Sequence, residues 1–108
     1  EFVEKIRFSA FEDVIRSCPQ IQEKKYIILC GVEAHICVLQ TLIDLKEAGY
    51  VPVLVTDCVS SRRRADCETA FIRAQQEGAI LTTYEALLFE LLEKAGTDES
   101  KKIQRLVK

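Results

Sequence analysis

Two apolar runs frame the chain, Tyr26-Ile-Ile-Leu-Cys-Gly-Val32 and Val51-Pro-Val-Leu-Val55. Runs this short, rich in β-branched residues and without polar alternation, suit strands of a parallel sheet covered on both faces. Between them, residues 36–48 place Leu39, Leu42, Ile43 and Leu45 at helical spacing, and Gly49 supplies the stop. Residues 57–61 read as the loop leaving the second strand. A helix is then predicted over residues 65–77, with Ala70, Phe71 and Ala74 inward and Gly78 closing it, followed by a strand over residues 79–83. Thr82-Thr-Tyr-Glu85 has the pattern of a capping box and opens an apolar helix through Leu87, Leu88, Leu91 and Leu92 to Gly96.

Ahead of these elements, residues 2–8 alternate as a short strand. Ser9-Ala-Phe-Glu12 is a second capping box, whose helix ends before Pro19, and residues 20–25 form a polar loop. A last short helix is predicted from Asp98, with Ile103, Leu106 and Val107 on one face. Because strand and helix alternate, the fold class is α/β, a parallel sheet with helices on both faces and right-handed crossovers.

Ligands of such sheets bind outside the carboxyl ends of the strands. Three loops meet there: residues 31–36, 57–64 and 82–85. Cys37 falls at the end of the first apolar run and the beginning of a helix, where unpaired N–H groups favour a thiolate. A buried structural cysteine fits the same position, and the residues alone leave both readings open. Cys30, Cys58 and Cys67 are expected to be apolar packing residues. Arg62-Arg63-Arg64 would either meet an anion or lie in water at a helix start; three cations suit a helix N-terminus poorly, so the solvated face is expected. His35 either lines the pocket or points outward.

At 108 residues the chain is a single small domain. A formal charge of −2 without a basic stripe argues against nucleic acid as a partner. No apolar run approaches the roughly 18 residues that would span a bilayer, so no membrane partner is expected. Five cysteines form no C-x-x-C pair, and there is one histidine, so neither a disulfide framework nor a metal site is indicated. Reduced thiols and a beginning without signal-peptide character suit a cytoplasmic or other intracellular protein. The chain opens Glu-Phe-Val-Glu-Lys without an initiator Met, and a fragment or trimmed chain is expected.

Four segments together resemble one family: Lys5-Ile-Arg-Phe-Ser-Ala-Phe11, Gly31-Val-Glu-Ala-His-Ile-Cys-Val38, Gly49-Tyr-Val-Pro-Val-Leu-Val-Thr-Asp57 and Gly78-Ala-Ile-Leu-Thr-Thr-Tyr-Glu85. In order and spacing they follow the isochorismatase-like cysteine hydrolases, over roughly residues 3–95. Ser60-Ser61-Arg62 and the tail from Lys102 look most like isochorismatase domain-containing proteins 1 and 2. The resemblance implies a three-layer, Rossmann-like domain and a Cys-Asp-Lys triad acting on a small amide or related carbonyl compound. Cys37 matches the nucleophile and Lys5 the lysine that supports the thiolate; independently of the family, a nearby ammonium lowers a thiol pKa.

The resemblance further implies a cis bond at Val32-Glu33, an oxyanion hole made by the N–H groups of Glu33 and Cys37, and substrate contacts at Ala34 and His35. Ala34 stands where many members have Thr, which speaks against isochorismate or nicotinamide as substrate. The family's catalytic Asp would precede Lys5, before the first residue here, and neither Asp13 nor Asp57 matches its motif. Nicotinamidase members bind a cation through Asp and His residues of that same part; for this chain no metal and no cofactor are expected. The expected domain, residues 1–108, therefore lacks an N-terminal strand of a six-stranded sheet, which would leave the strand beginning at Tyr26 without a neighbour. A small-molecule substrate and a homo-oligomer are the expected partners. The alternative is a catalytically silent member serving as a protein-interaction or self-assembling module.

Overall fold

The computed structural model describes residues 7–92. Lys5, most of the predicted strand over residues 2–8, Gly96 and the predicted helix from Asp98 lie outside the described residues; Arg7 and Phe8 themselves form a bend. The elements run α1 (Phe11–Ser17), a 3₁₀ turn (Pro19–Glu23), β1 (Tyr26–Val32), a wide turn (Ala34–Val38), α2 (Leu39–Glu47), β2 (Val51–Ser60), α3 (Arg64–Gln76), β3 (Ile80–Thr82) and α4 (Tyr84–Leu92). The three strands are parallel in the order β1-β2-β3, with Tyr26 opposite Val51 and Val53 opposite Ile80.

One face of the sheet is closed by α2 and α3. Leu42, fully buried, packs there with Leu39, Leu54, Val59, Ala70 and Ala74. The two alanines let α3 approach closely, and the half-buried Phe71 packs at the margin of the cluster. On the other face α4 leaves a cleft of about 410 Å³ against Tyr26, Ile28, Val53 and Ile80. The α/β class with a parallel sheet holds.

Three local expectations are corrected. β1 keeps its expected bounds but is not covered on both faces: Tyr26, Ile28 and Val32 are exposed. It forms an edge of the described sheet, and only the face carrying Leu29 meets the core. β2 runs on to Ser60, through the stretch expected to be loop. Its pairing shifts register on the way, from Leu29–Leu54 to Gly31–Val59, so that Cys30 alone stands against Val55, Thr56, Asp57 and Cys58.

Neither capping box forms as expected. The Ser9 hydroxyl donates to Asp44 Oδ2 at 2.6 Å and accepts the Phe11 N–H at 3.2 Å, while Glu12 pairs with Arg7 at 2.8 Å. Helix α1 begins after Ala10, without a side-chain cap. In α4 the cap is Thr83, whose Oγ1 accepts the Ala86 N–H at 3.3 Å, because Thr82 belongs to β3.

Candidate active site at the strand ends

The site begins where β1 must turn into α2 within a few residues. Gly31 takes φ +117°, open to glycine and rarely to other residues, and the Val32–Glu33 peptide bond is cis. The following turn is wound wider than an α-helix, with the Val38 N–H donating to the Glu33 carbonyl five residues back at 3.2 Å. Ala34 and Val38 anchor it in the core. Cys37 lies on the other side, half-buried, against a small cavity of about 160 Å³ lined also by Ala10, Leu29, Cys30, Val32 and Thr41.

Two side chains on α2 fasten the segment that precedes α1 to this turn. Thr41 Oγ1 donates to the Cys37 carbonyl at 2.7 Å and accepts the Ala10 N–H at 2.9 Å. Asp44 receives the Ser9 hydroxyl. Ser9 and Ala10, within the Lys5–Phe11 segment, are thus held near Cys37, while Lys5 itself lies outside the described residues.

Across Val32 lies a second cleft, about 240 Å³, lined by Glu33, Ser60, Ser61 and Arg62. The Glu33 carboxylate ties its two walls together, accepting the Arg62 N–H at 3.0 Å and Arg62 Nε at 2.7 Å. The main-chain bond from Arg62 is the chief reason the Glu33 carboxyl is held below its ordinary value; desolvation, next in size, opposes it, and the Arg62 and His35 charges add to the lowering.

His35 does not point outward. Its Nδ1 lies 2.8 Å from Ser61 Oγ, and its Nε2 3.7 Å from Asp66 Oδ2, which joins the wide turn to the start of α3. Ala34 is 2% exposed and packs among core residues, so its side chain offers substrate no surface, a correction to the expected contact. The arginine run is solvated, as expected, yet each member meets a carboxylate: Arg62 with Glu33, Arg63 with Asp66 at 3.7 Å, Arg64 with Glu68 at 2.9 Å.

Cys30 and Cys58 are exposed rather than packed; only Cys67 borders the core. Desolvation, then the neighbouring Asp57 carboxylate and Cys30, push the Cys58 thiol up. Among the described residues no group of three or more His, Cys, Asp or Glu is placed to hold a metal ion. No described helix is long and apolar enough to cross a membrane. The roles of Thr41 and of the Glu33 carboxylate were not anticipated. Thr41 stands one helical turn beyond Cys37, a spacing that could have suggested it; Glu33 and Arg62 are 29 positions apart, with no local signal.

The model of the isochorismatase domain matches residues 1–86. The chain is 42% identical to the secreted isochorismatase effector Isc1 of Phytophthora sojae, over 80% of this chain and 41% of that protein. It is 37% identical to isochorismatase domain-containing protein 2 of Homo sapiens, over 92% and 47% respectively. Among solved structures, the MAR1 ribonuclease of Caenorhabditis elegans aligns with a TM-score of 0.82 and 39% identity, over 95% of this chain and 53% of that one. The nicotinamidase PncA of Bacillus subtilis aligns with a TM-score of 0.68 and 27% identity, over 74% and 45%. The chain spans about half the length of the relatives it matches.

Proposed function

The chain belongs to the isochorismatase family, and from that premise we propose that it carries the nucleophile of a hydrolytic site acting on a small amide or related carbonyl compound. The observation that supports this most is the placement of Cys37: a half-buried thiol on the turn between a parallel strand and a helix, facing a cavity at the carboxyl end of the sheet. The structural neighbour named a nicotinamidase supports an amide as the substrate class.

In this reading the Cys37 thiolate attacks the carbonyl carbon and the C=O electron pair moves to oxygen. The main-chain N–H groups of Glu33 and Cys37 receive that oxyanion, a contribution of about 3 kcal/mol per donor in comparable sites. Collapse of the adduct breaks the C–N bond, the amine leaves with a proton, and a thioester remains on Cys37 until water hydrolyses it. The Lys5 ammonium favours the thiolate. Glu33 takes part through its main chain, while its carboxylate holds the β2–α3 loop as the wall of the adjoining cleft. His35 fixes the turn through Ser61, which lines that cleft.

The neighbour called a ribonuclease raises RNA as an alternative substrate. Charge argues against it: the net charge is −2, and the arginine run already faces Glu33, Asp66 and Glu68. The test is a panel of small aromatic and aliphatic amides with intact-mass detection of an acyl adduct on the tryptic peptide bearing Cys37. The adduct and amine release are expected, and both vanish in Cys37→Ser. Amine release that survives Cys37→Ser, or cleavage of an RNA oligonucleotide without any amide turnover, would overturn the reading.

A further inference from the structure

Cys30 and Cys58 were expected in the core, and neither is there. Their positions follow from the register. Gly31 pairs with Val59, so Cys30 and Cys58 each immediately precede this pair on the parallel strands β1 and β2, at the bulge, and Cys30 is close enough to act on the Cys58 thiol. Paired strands lie about 4.8 Å apart, within the Cα separation of roughly 4.4 to 6.8 Å that a disulfide requires.

The faces agree as well. Leu29 packs on the core, as does Val59, the partner of Gly31; side chains alternate along a strand, so Cys30 and Cys58 both turn away from that core, Cys30 at the edge where it also borders the cavity beside Cys37. Both thiols are exposed there. The bulge in β2, four residues against one, gives the strand slack at this point to adjust the separation.

We infer that Cys30 and Cys58 form a dithiol site that hydroperoxides oxidise to an intramolecular disulfide across β1 and β2, separate from the nucleophile Cys37. The steps balance. One thiolate attacks the peroxide O–O bond, forming an S–O bond and releasing an alcohol, or water from hydrogen peroxide; the product is a sulfenic acid. The second thiol displaces its oxygen as water, so two thiols lose two protons and two electrons to one peroxide. The elevated Cys58 thiol, held beside Asp57 at 3.9 Å, makes Cys30 the sulfur that attacks first. The resulting bond would clamp the strand that delivers the turn at Gly31 to the centre of the sheet.

Trypsin separates the two thiols, because cleavage after Lys25, Lys46 and Arg62 leaves Cys30 and Cys37 on peptide 26–46 and Cys58 on peptide 47–62. After dilute hydrogen peroxide, the protein is expected to yield these peptides linked, with the loss of two hydrogens and reversal by dithiothreitol. The link persists in Cys37→Ser and disappears in Cys30→Ser and in Cys58→Ser. Circular dichroism of the exposed-site variants checks that each is folded. A link that survives Cys30→Ser but is lost in Cys37→Ser would overturn the assignment. So would peroxide converting Cys58 to sulfinic acid, or linking two chains, without any intramolecular bridge.

Discussion

The hydroxyl of Thr41 donates to the carbonyl of Cys37 at 2.7 Å while accepting the main-chain N–H of Ala10 at 2.9 Å. One small side chain on α2 thus holds the turn that presents the thiol and the segment that reaches it from the beginning of the chain. Thr41 is 9% exposed, so water does not readily replace either bond. Thr41→Val keeps the shape and removes both, leaving the Ala10 N–H without an acceptor. Urea unfolding of this variant is expected to show a loss of about 1–3 kcal/mol, and Thr41→Ser should recover most of it. A Thr41→Val variant as stable as the parent would show that the bridge does not hold the segment.

The Glu33 carboxylate gives a second, pH-dependent test. Its folded pKa lies below the ordinary value of 4.5, chiefly because the Arg62 N–H bonds to the charged form. A depressed carboxyl pKa contributes stability that is present above the unfolded value and lost as pH falls through the folded one. Melting temperature should therefore fall more steeply for the parent than for Glu33→Gln below pH 4.5, and the two profiles should run parallel above pH 6. Parallel profiles throughout the acid range would rule out the Glu33–Arg62 tie as a contributor.

Gly31 separates the effect of space from that of backbone conformation. Nothing lies within 4 Å of the position a Cβ would take there, yet φ is +117°. Gly31→Ala therefore costs through conformation alone, about 1–3 kcal/mol, although no clash is created. Denaturant unfolding is the measurement, and an unchanged midpoint would mean that the turn accepts an L side chain without strain.

How far these relationships could be read in advance depended on their range along the chain. The bounds of β1 were legible because an apolar run between polar residues and a glycine turn is a local signal. Helix α3 fell within one residue of expectation because Gly78, at φ +91°, ends it. The burial of β1 was not legible, since an apolar run looks the same at the edge of a sheet as at its centre. Ser60 read as loop because its polarity hides the pairing with Val32 that keeps it in a strand. At the site, the corner holding Cys37 was visible in the turn itself. The bonds joining Glu33 to Arg62 and His35 to Ser61 connect residues 29 and 26 positions apart and depend on the folded sheet.

The thiols give the most direct comparison, because five of them experience different surroundings in one chain. Cys30 and Cys58 are more accessible than Cys37, so labelling governed by exposure alone would favour those two. Labelling governed by thiolate character favours Cys37, on the turn entering α2 and, in the proposed site, beside the ammonium of Lys5. Cys58 is disfavoured by its raised thiol. Time-resolved alkylation with iodoacetamide at neutral pH, followed by fragment-ion assignment of each cysteine because Cys30 and Cys37 share peptide 26–46, is expected to modify Cys37 first. Lys5→Ala should slow that reaction and leave the rate at Cys30 unchanged. If Cys37 is the last thiol to react in the folded protein, or if Lys5→Ala slows Cys30 and Cys37 alike, the charge on Lys5 does not act on the Cys37 sulfur and the proposed chemistry loses its activated nucleophile.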